Sequence, residues 1–469
     1  MKAIAKKSVF IGLTLLGFSQ FAKAQFTLDG EIRPRFEHRH GFKSVADSAQ
    51  KSADFIDQRT RLNFGYKTEG YQFKVVIQDV RVWGSQPQLV SNDGALTTLH
   101  EAWGEAFIKK GFSFKFGRQE IIYDDHRIFG NVGWAQQARS HDAGIFKYQT
   151  DKFKADLGFA YNQDKAGLVG TEAFNGSYKA FQYLWFNIKP SDVFNASVLF
   201  LNNGKQAQTY DSTYAETIYK DNYSQTAGTR LSFTKDKLTI HGEFYKQMGL
   251  EGDWANTEID AMLYGGDISY NITDKFSATA GYQYLSGQSQ TDTTVAYNKI
   301  NHAFNPFYGT NHKFNGFMDY FYVGNHIGSV GLQDIFFKLK YANKDKKYFV
   351  GVDVHMFAAA ADVFDAKKYA DGVADAIANG TNPADVPIEA MDPNLGTEID
   401  FTFGFQLAKG VDLKGGYSQM LATETLAVVK GVTYNWGDKA GQGRVDQSNN
   451  WAWLMITLKP KFITGEEAK

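Results

Sequence analysis

Along Gln25–Arg39 the chain alternates with a period of two. Phe26, Leu28, Gly30, Ile32 and Phe36 fall on even positions, and Asp29, Glu31, Arg33, Arg35, Glu37 and Arg39 on odd ones. Successive side chains of a strand point to opposite faces, so this segment has one apolar face and one charged face. Residues 56–67 repeat the division, with Leu62, Phe64 and Tyr66 on one face and Asp57, Arg59, Arg61 and Asn63 on the other. The pattern persists to the end of the chain, where Ala452, Leu454, Ile456 and Leu458 alternate with Trp451, Trp453, Met455 and Thr457, and Phe462 follows.

The connections between such segments alternate in length. Tight turns are expected near 68–70, 109–111, 150–152, 189–191, 235–237, 273–275, 343–347 and 409–410. Long loops are expected near 40–54, 84–97, 118–141, 163–177, 203–222, 249–257, 287–333, 358–396 and 421–449. Eight turns and nine loops predict eighteen strands with both termini on the short-turn side, the plan of a transmembrane antiparallel up-and-down β-barrel with short periplasmic turns and long extracellular loops. Tyr71, Phe73, Phe153, Phe194, Phe276, Tyr348 and Phe349 open strands just after short turns, where interfacial aromatic girdles sit.

Composition fits this all-β reading. Of 469 residues, 15% are aromatic and 45 are glycine, with only 8 prolines, which supplies strand and turn formers in quantity. Cysteine is absent, which excludes disulfides and thiolate metal sites. Lys2, Lys6 and Lys7, the apolar run Val9–Phe18 and Ala22-Lys23-Ala24 make residues 1–24 a cleaved signal peptide. That leaves 25–462 as the barrel and 463–469 as a short tail. Losing residues 1–24 takes four lysines from 50 Lys and Arg against 51 Asp and Glu, for a net charge of −5. Such a balance argues against a nucleic-acid partner. No later run is apolar enough for a membrane helix, so an exported chain of this kind enters a membrane only as a closed barrel. The expected surroundings are outer-membrane lipid in a Gram-negative-type envelope.

Chemistry concentrates early in the chain. Nine of the eleven arginines precede residue 140, and only Arg230 and Arg444 follow, whereas lysines spread throughout. Parity puts Arg33, Arg35, Arg59 and Arg61 on one patch of inner wall, where a guanidinium fork suits carboxylates. The alternative is that these arginines pair with Asp29, Glu31, Glu37, Asp57, Glu101 and Glu105 and stiffen the wall. Arg81 and Arg118 fall on apolar faces, which places them beyond the lipid zone or beside a bulge. His38, Glu37 and His40, and likewise Asp124-Asp125-His126, lack the spacing of zinc or calcium sites, so no metal is expected. Nor does any nucleophile, nucleotide or metalloprotease motif occur, and neither a cofactor nor catalysis is expected.

Gly117–Asp142 is a polar interruption between two strand patterns, and it is expected to fold inward as a constriction. Gly130 and Gly133 would allow a tight backbone, with Arg127 and Arg139 facing the path. Loops 287–333 and 358–396 are longer than hairpin caps need. The first, rich in Phe, Tyr, Asn and Gly, is expected to descend into the lumen or cover the mouth. The second is expected to hold a short helix within Ala358–Gly380, ended by Asn379-Gly380 and Pro383.

GRQEIIYDDHRIFGNVGWAQQARSHDA resembles the signature block of alginate-export outer-membrane proteins, carried here by Gly117, Arg118, Gln119, Glu120, Asp125, Arg127, Gly130, Gly133, Trp134, Arg139 and Asp142. Tyr308–Gly324, YGTNHKFNGFMDYFYVG, is similar to a second segment of that family. The resemblance implies an eighteen-stranded barrel with an electropositive pore for an anionic polysaccharide such as alginate, or for another small acid. The expected substrate path comprises Arg33, Arg35, Arg59, Arg61, Arg118, Glu120, Asp125, Arg127, Trp134, Arg139 and Asp142. A second reading makes the long loops a docking surface for a periplasmic or surface partner of unspecified identity, over a plugged lumen.

Overall fold

The computed structural model describes residues 25–89, 96–171, 176–211, 213, 217–343, 345 and 347–465. The signal peptide expected over 1–24 and the end of the expected tail, 466–469, lie outside the described residues. The first half of the wall is β1 (Gln25–His40), β2 (Ala53–Lys67), β3 (Tyr71–Val82), β4 (Thr97–Lys109), β5 (Phe112–Gln119), β6 (His141–Gln149), β7 (Phe153–Tyr161), β8 (Ala180–Ile188) and β9 (Phe194–Tyr210). The second half is β10 (Thr217–Lys235), β11 (Leu238–Leu250), β12 (Glu258–Asn271), β13 (Phe276–Leu285), β15 (Leu332–Ala342), β16 (Tyr348–Ala358), β17 (Asn394–Ala408), β18 (Val411–Ala422) and β19 (Asn449–Leu458). Two short additions are β14 (Ile300–Asn301), which runs parallel to β12, and β20 (Lys461–Ile463), which pairs with β1.

Each wall strand pairs antiparallel with the next, and β19 returns to β1 with Arg35 opposite Met455, closing an eighteen-stranded barrel. Closure gives every strand two neighbours, which is what lets a sheet stand in hydrocarbon. The outward residues are apolar and exposed, among them Phe36, Leu62, Phe73, Phe116, Phe146 and Phe244. An apolar surface that encircles a soluble protein would be an aggregation hazard; in lipid it is the stable face. Inward positions carry Arg33, Arg35, Glu37, Arg59, Gln78 and Glu105, all buried.

Three short connections share one device. Thr68, Thr150 and Thr273 each accept, through Oγ1, the backbone N–H of the aromatic residue that opens the next strand, Tyr71 (3.1 Å), Phe153 (3.0 Å) and Phe276 (3.1 Å). The hydroxyl stands in for a backbone acceptor and fixes a tight turn, and the aromatic lands at the membrane boundary.

One expectation changes and another holds. The loop expected over 203–222 is mostly strand, since β9 and β10 pair from Gly204 opposite Tyr223 to Tyr210 opposite Thr217. This hairpin is polar on both faces, and the period of two is lost because no lipid selects an apolar face. The helix expected within Ala358–Gly380 forms as Ala366–Ala378, after β16 ends at Ala358. Asp365 caps it by accepting the Lys368 N–H at 2.9 Å, and Gly380 leaves it at φ +69°.

Candidate functional site

The loop 120–140 turns into the barrel. Gly117, at φ +112°, bends the end of β5, and a Cβ there would sit 3.0 Å from the Trp103 backbone. Asp124, His126, Val132 and Ala138 also hold positive φ, a concentration of local strain that only a well-anchored loop sustains. The anchors are visible. Ile121, Ile128 and Phe129 are buried, Tyr123 donates to Asp156 at 2.7 Å, and Trp185 donates to Asp124 at 3.2 Å. Burial raises the Asp124 carboxyl above its ordinary value.

The far end of the loop lands on the arginines of β1 and β2. Arg33 gives its fork to the Gly133 carbonyl at 2.9 Å, the Trp134 carbonyl at 3.1 Å and Gln136 Oε1 at 2.8 Å. Arg35 reaches the Trp134 carbonyl at 2.8 Å and lies 4.3 Å from the Trp134 ring centre. That ring also stacks on His312 at 4.6 Å and meets Trp453 edge-on at 4.8 Å. Gln78 accepts from Arg61 at 2.7 Å and donates to the Gln137 carbonyl at 3.1 Å.

Register explains how these charges divide. Arg33 stands directly opposite Arg59, and like charges so placed repel. Arg59 leans to Glu31 at 2.6 Å, while Arg33 turns to the loop. Arg35 pairs with Glu37 at 2.7 Å and Asp57 at 2.9 Å, and Arg39 with Glu37 at 2.8 Å. Wall-stiffening pairs therefore take Arg35, Arg39 and Arg59. Among the described residues Arg33, Arg61 and Arg139 have no ion pair. Arg139 donates to the Gly309 carbonyl at 3.1 Å, and burial lowers its pKa.

The remaining expected residues separate. Glu120 accepts from Asn131 at 2.9 Å and pairs with His100 at 2.8 Å. Arg127 is buried across the barrel, donating to Gln283 at 2.6 Å with Phe314 under it at 3.5 Å, and Asp125 faces Arg230 at 3.7 Å. Arg118 and Asp142 are a correction to the expected path. They pair with each other at 3.0 Å and are exposed, while their neighbours Gln119 and His141 are buried inward, so parity turns both away from the lumen.

The second support of the constriction is the loop expected over 287–333, which takes the first of its two expected courses, into the lumen. The loop 286–331 also enters the barrel, and Phe129 bridges Tyr308 beside hydrogen bonds from Gly130 N–H to the Tyr308 carbonyl and from Thr310 N–H to the His126 carbonyl, both 2.9 Å. Its far side reaches the opposite wall, where the Met318 N–H donates to Glu398 at 2.7 Å. Gln78, Gln136, Thr310 and Glu398 are thus structural partners that no spacing announced. The aromatic segment Tyr308–Gly324 was the available signal.

Lys430, beside the short helix Glu424–Val429, donates to the Tyr320 carbonyl and so ties a third loop to this second one. Burial pushes its ammonium down from 10.5 to about 7. Between those values the unfolded chain holds a proton that the folded one does not, so stability rises with pH across that window. Melting temperatures in detergent should climb from pH 7 towards pH 10, and Lys430→Met should flatten the climb.

No protein-family model matches the chain, and no curated protein matches it significantly. Solved structures do. OccAB4 of Acinetobacter baumannii is similar with a TM-score of 0.58 at 11% identity, over 93% of this chain and 98% of that one. OccK9 (OpdG) of Pseudomonas aeruginosa gives 0.57 at 11% identity, over 93% and 98%. OpdK of the same organism, solved with vanillate, gives 0.55 at 10% identity, over 93% and 99%. These are outer-membrane porins, and at such identities the likeness defines the fold: a closed eighteen-stranded outer-membrane barrel. With its apolar outer face, the barrel belongs in the Gram-negative outer membrane.

Proposed function

We propose that the barrel is a passive channel whose narrowed lumen prefers small acidic solutes. The observation that carries this reading is the set of inward guanidiniums on Arg33, Arg61 and Arg139, none of which makes an ion pair among the described residues. A poorly solvated cation with no carboxylate in direct contact is costly, and a passing carboxylate supplies that contact. The porin-like fold and the vanillate in the OpdK structure support a small acid as the solute. Two loops bonded across the lumen favour such a solute over a long polymer, so alginate is the weaker candidate within the same electropositive route.

Planar-bilayer reversal potentials under a salt gradient test this. Wild type should prefer anions, and Arg33→Gln, Arg61→Gln and Arg139→Gln together should lower the preference severalfold. A cation preference in wild type, or selectivity unmoved by the triple substitution, would overturn it. The docking alternative draws on exposed apolar residues of outer loops, Trp436 and Ile377 among them. It predicts a silent wild-type barrel that conducts only after loop deletion.

A further inference from the structure

Across the barrel from β1 and β2, a cavity of about 270 Å³ lies between the inward loops and the wall from β10 to β16. It offers charges of both signs. Arg230 and Lys313 line it, and neither spends its charge fully on the protein. Arg230 approaches Asp125 at 3.7 Å, too long for a hydrogen bond, and Lys313 donates to the neutral Asp125 carbonyl at 2.9 Å.

The opposite sign comes from Glu243, whose side chain is only 4% exposed. Its Oε1 accepts from Gln283 at 3.0 Å and lies 3.8 Å from Arg127. Its Oε2 is buried and has no hydrogen-bond partner. The other acids lining the cavity differ, since Asp267 pairs with His241 at 3.2 Å, Asp334 with His355 at 2.9 Å, and Asp125 faces Arg230 at 3.7 Å. An orphaned buried carboxylate oxygen beside under-used cations, with Phe314 and Phe336 as apolar walls, is a site with unmet polar demand.

We infer that this cavity is a binding station for a small amphoteric solute, with its ammonium on Glu243 and its carboxylate on Arg230 and Lys313. The assignment rests on the channel reading and narrows the solute from any small acid to one that also carries an amine. Isothermal titration of the detergent-purified barrel with 4-aminobutyrate, butyrate and butylamine tests it. 4-Aminobutyrate should bind roughly tenfold more tightly than either single-charge analogue, the scale of one charged hydrogen bond. Glu243→Gln should erase that advantage. Arg230→Gln should weaken 4-aminobutyrate by a similar factor, which keeps the site testable if the first variant does not fold. Equal binding of the three probes, or none, would overturn the site and leave water as its occupant. A barrel that binds 4-aminobutyrate yet shows no anion preference would instead overturn the selectivity reading and leave the site standing.

Discussion

Arg33→Gln is expected to raise single-channel conductance several-fold while barely moving the melting temperature. Arg33 makes five contacts to residues 133–136, two of them to Gln136 Oε1, and no other wall residue holds as many of that loop's carbonyls. Hydrogen bonds to a charged group contribute ~1.5–3 kcal/mol each. Losing several removes about the 5.5 kcal/mol that separates a 1:99 from a 99:1 equilibrium between two loop positions. Global stability moves little, because the wall pairs of Arg35, Arg39 and Arg59 and the ladder between β1 and β2 stay in place when the loop is released. Arg35→Gln should behave in the opposite way. Glu37 and Asp57 then lose their shared cation, and breaking a buried pair destabilises by ~3–5 kcal/mol. The loss should fall at the low end of that range, since Glu37 keeps Arg39 and the Trp451 indole, and Asp57 keeps Gln136. Conductance and melting temperature measured on both variants check the contrast. Equal conductance in wild type and Arg33→Gln would show that the arginine does not hold the loop.

The contrast also marks how far the sequence could be read. Alternation reveals the wall because lipid demands an apolar face at every second residue, and that rule put Arg33, Arg35, Arg59 and Arg61 inside. It could not say which arginine takes an acid. That follows from the pairing of Arg33 with Arg59, a register set by the whole hairpin. Parity was also the better guide for Arg118, which its strand pattern puts outside although its place in the signature block suggested the path. The loop expected over 203–222 misled for the converse reason: beyond the lipid zone both faces of a strand are polar. The descent of 286–331 was one of the two courses that its length and its Phe, Tyr, Asn and Gly content raised, but its bonds through Thr310 and Met318 depend on tertiary contacts that leave no local period.

Gly130→Ala should uncouple the two inward loops. A Cβ at Gly130 would lie 2.7 Å from His126 Cβ and 2.9 Å from the Thr310 nitrogen, and the latter is backbone of the other loop, unable to swing aside. The bridge between Phe129 and Tyr308 and its two flanking hydrogen bonds must then open, at ~1–3 kcal/mol for an overfilled site. Gly133→Ala is the matched control. Its new Cβ would meet only the Asn131 side chain, at 3.3 Å, so its effect should stay within about 0.5 kcal/mol. In single-channel records Gly130→Ala should flicker between conductance levels while Gly133→Ala stays as steady as wild type; identical traces would mean that the loops hold their places separately. If the two loops instead move as one body, the effects of Gly130→Ala and Arg33→Gln should not add, because either substitution releases the same unit.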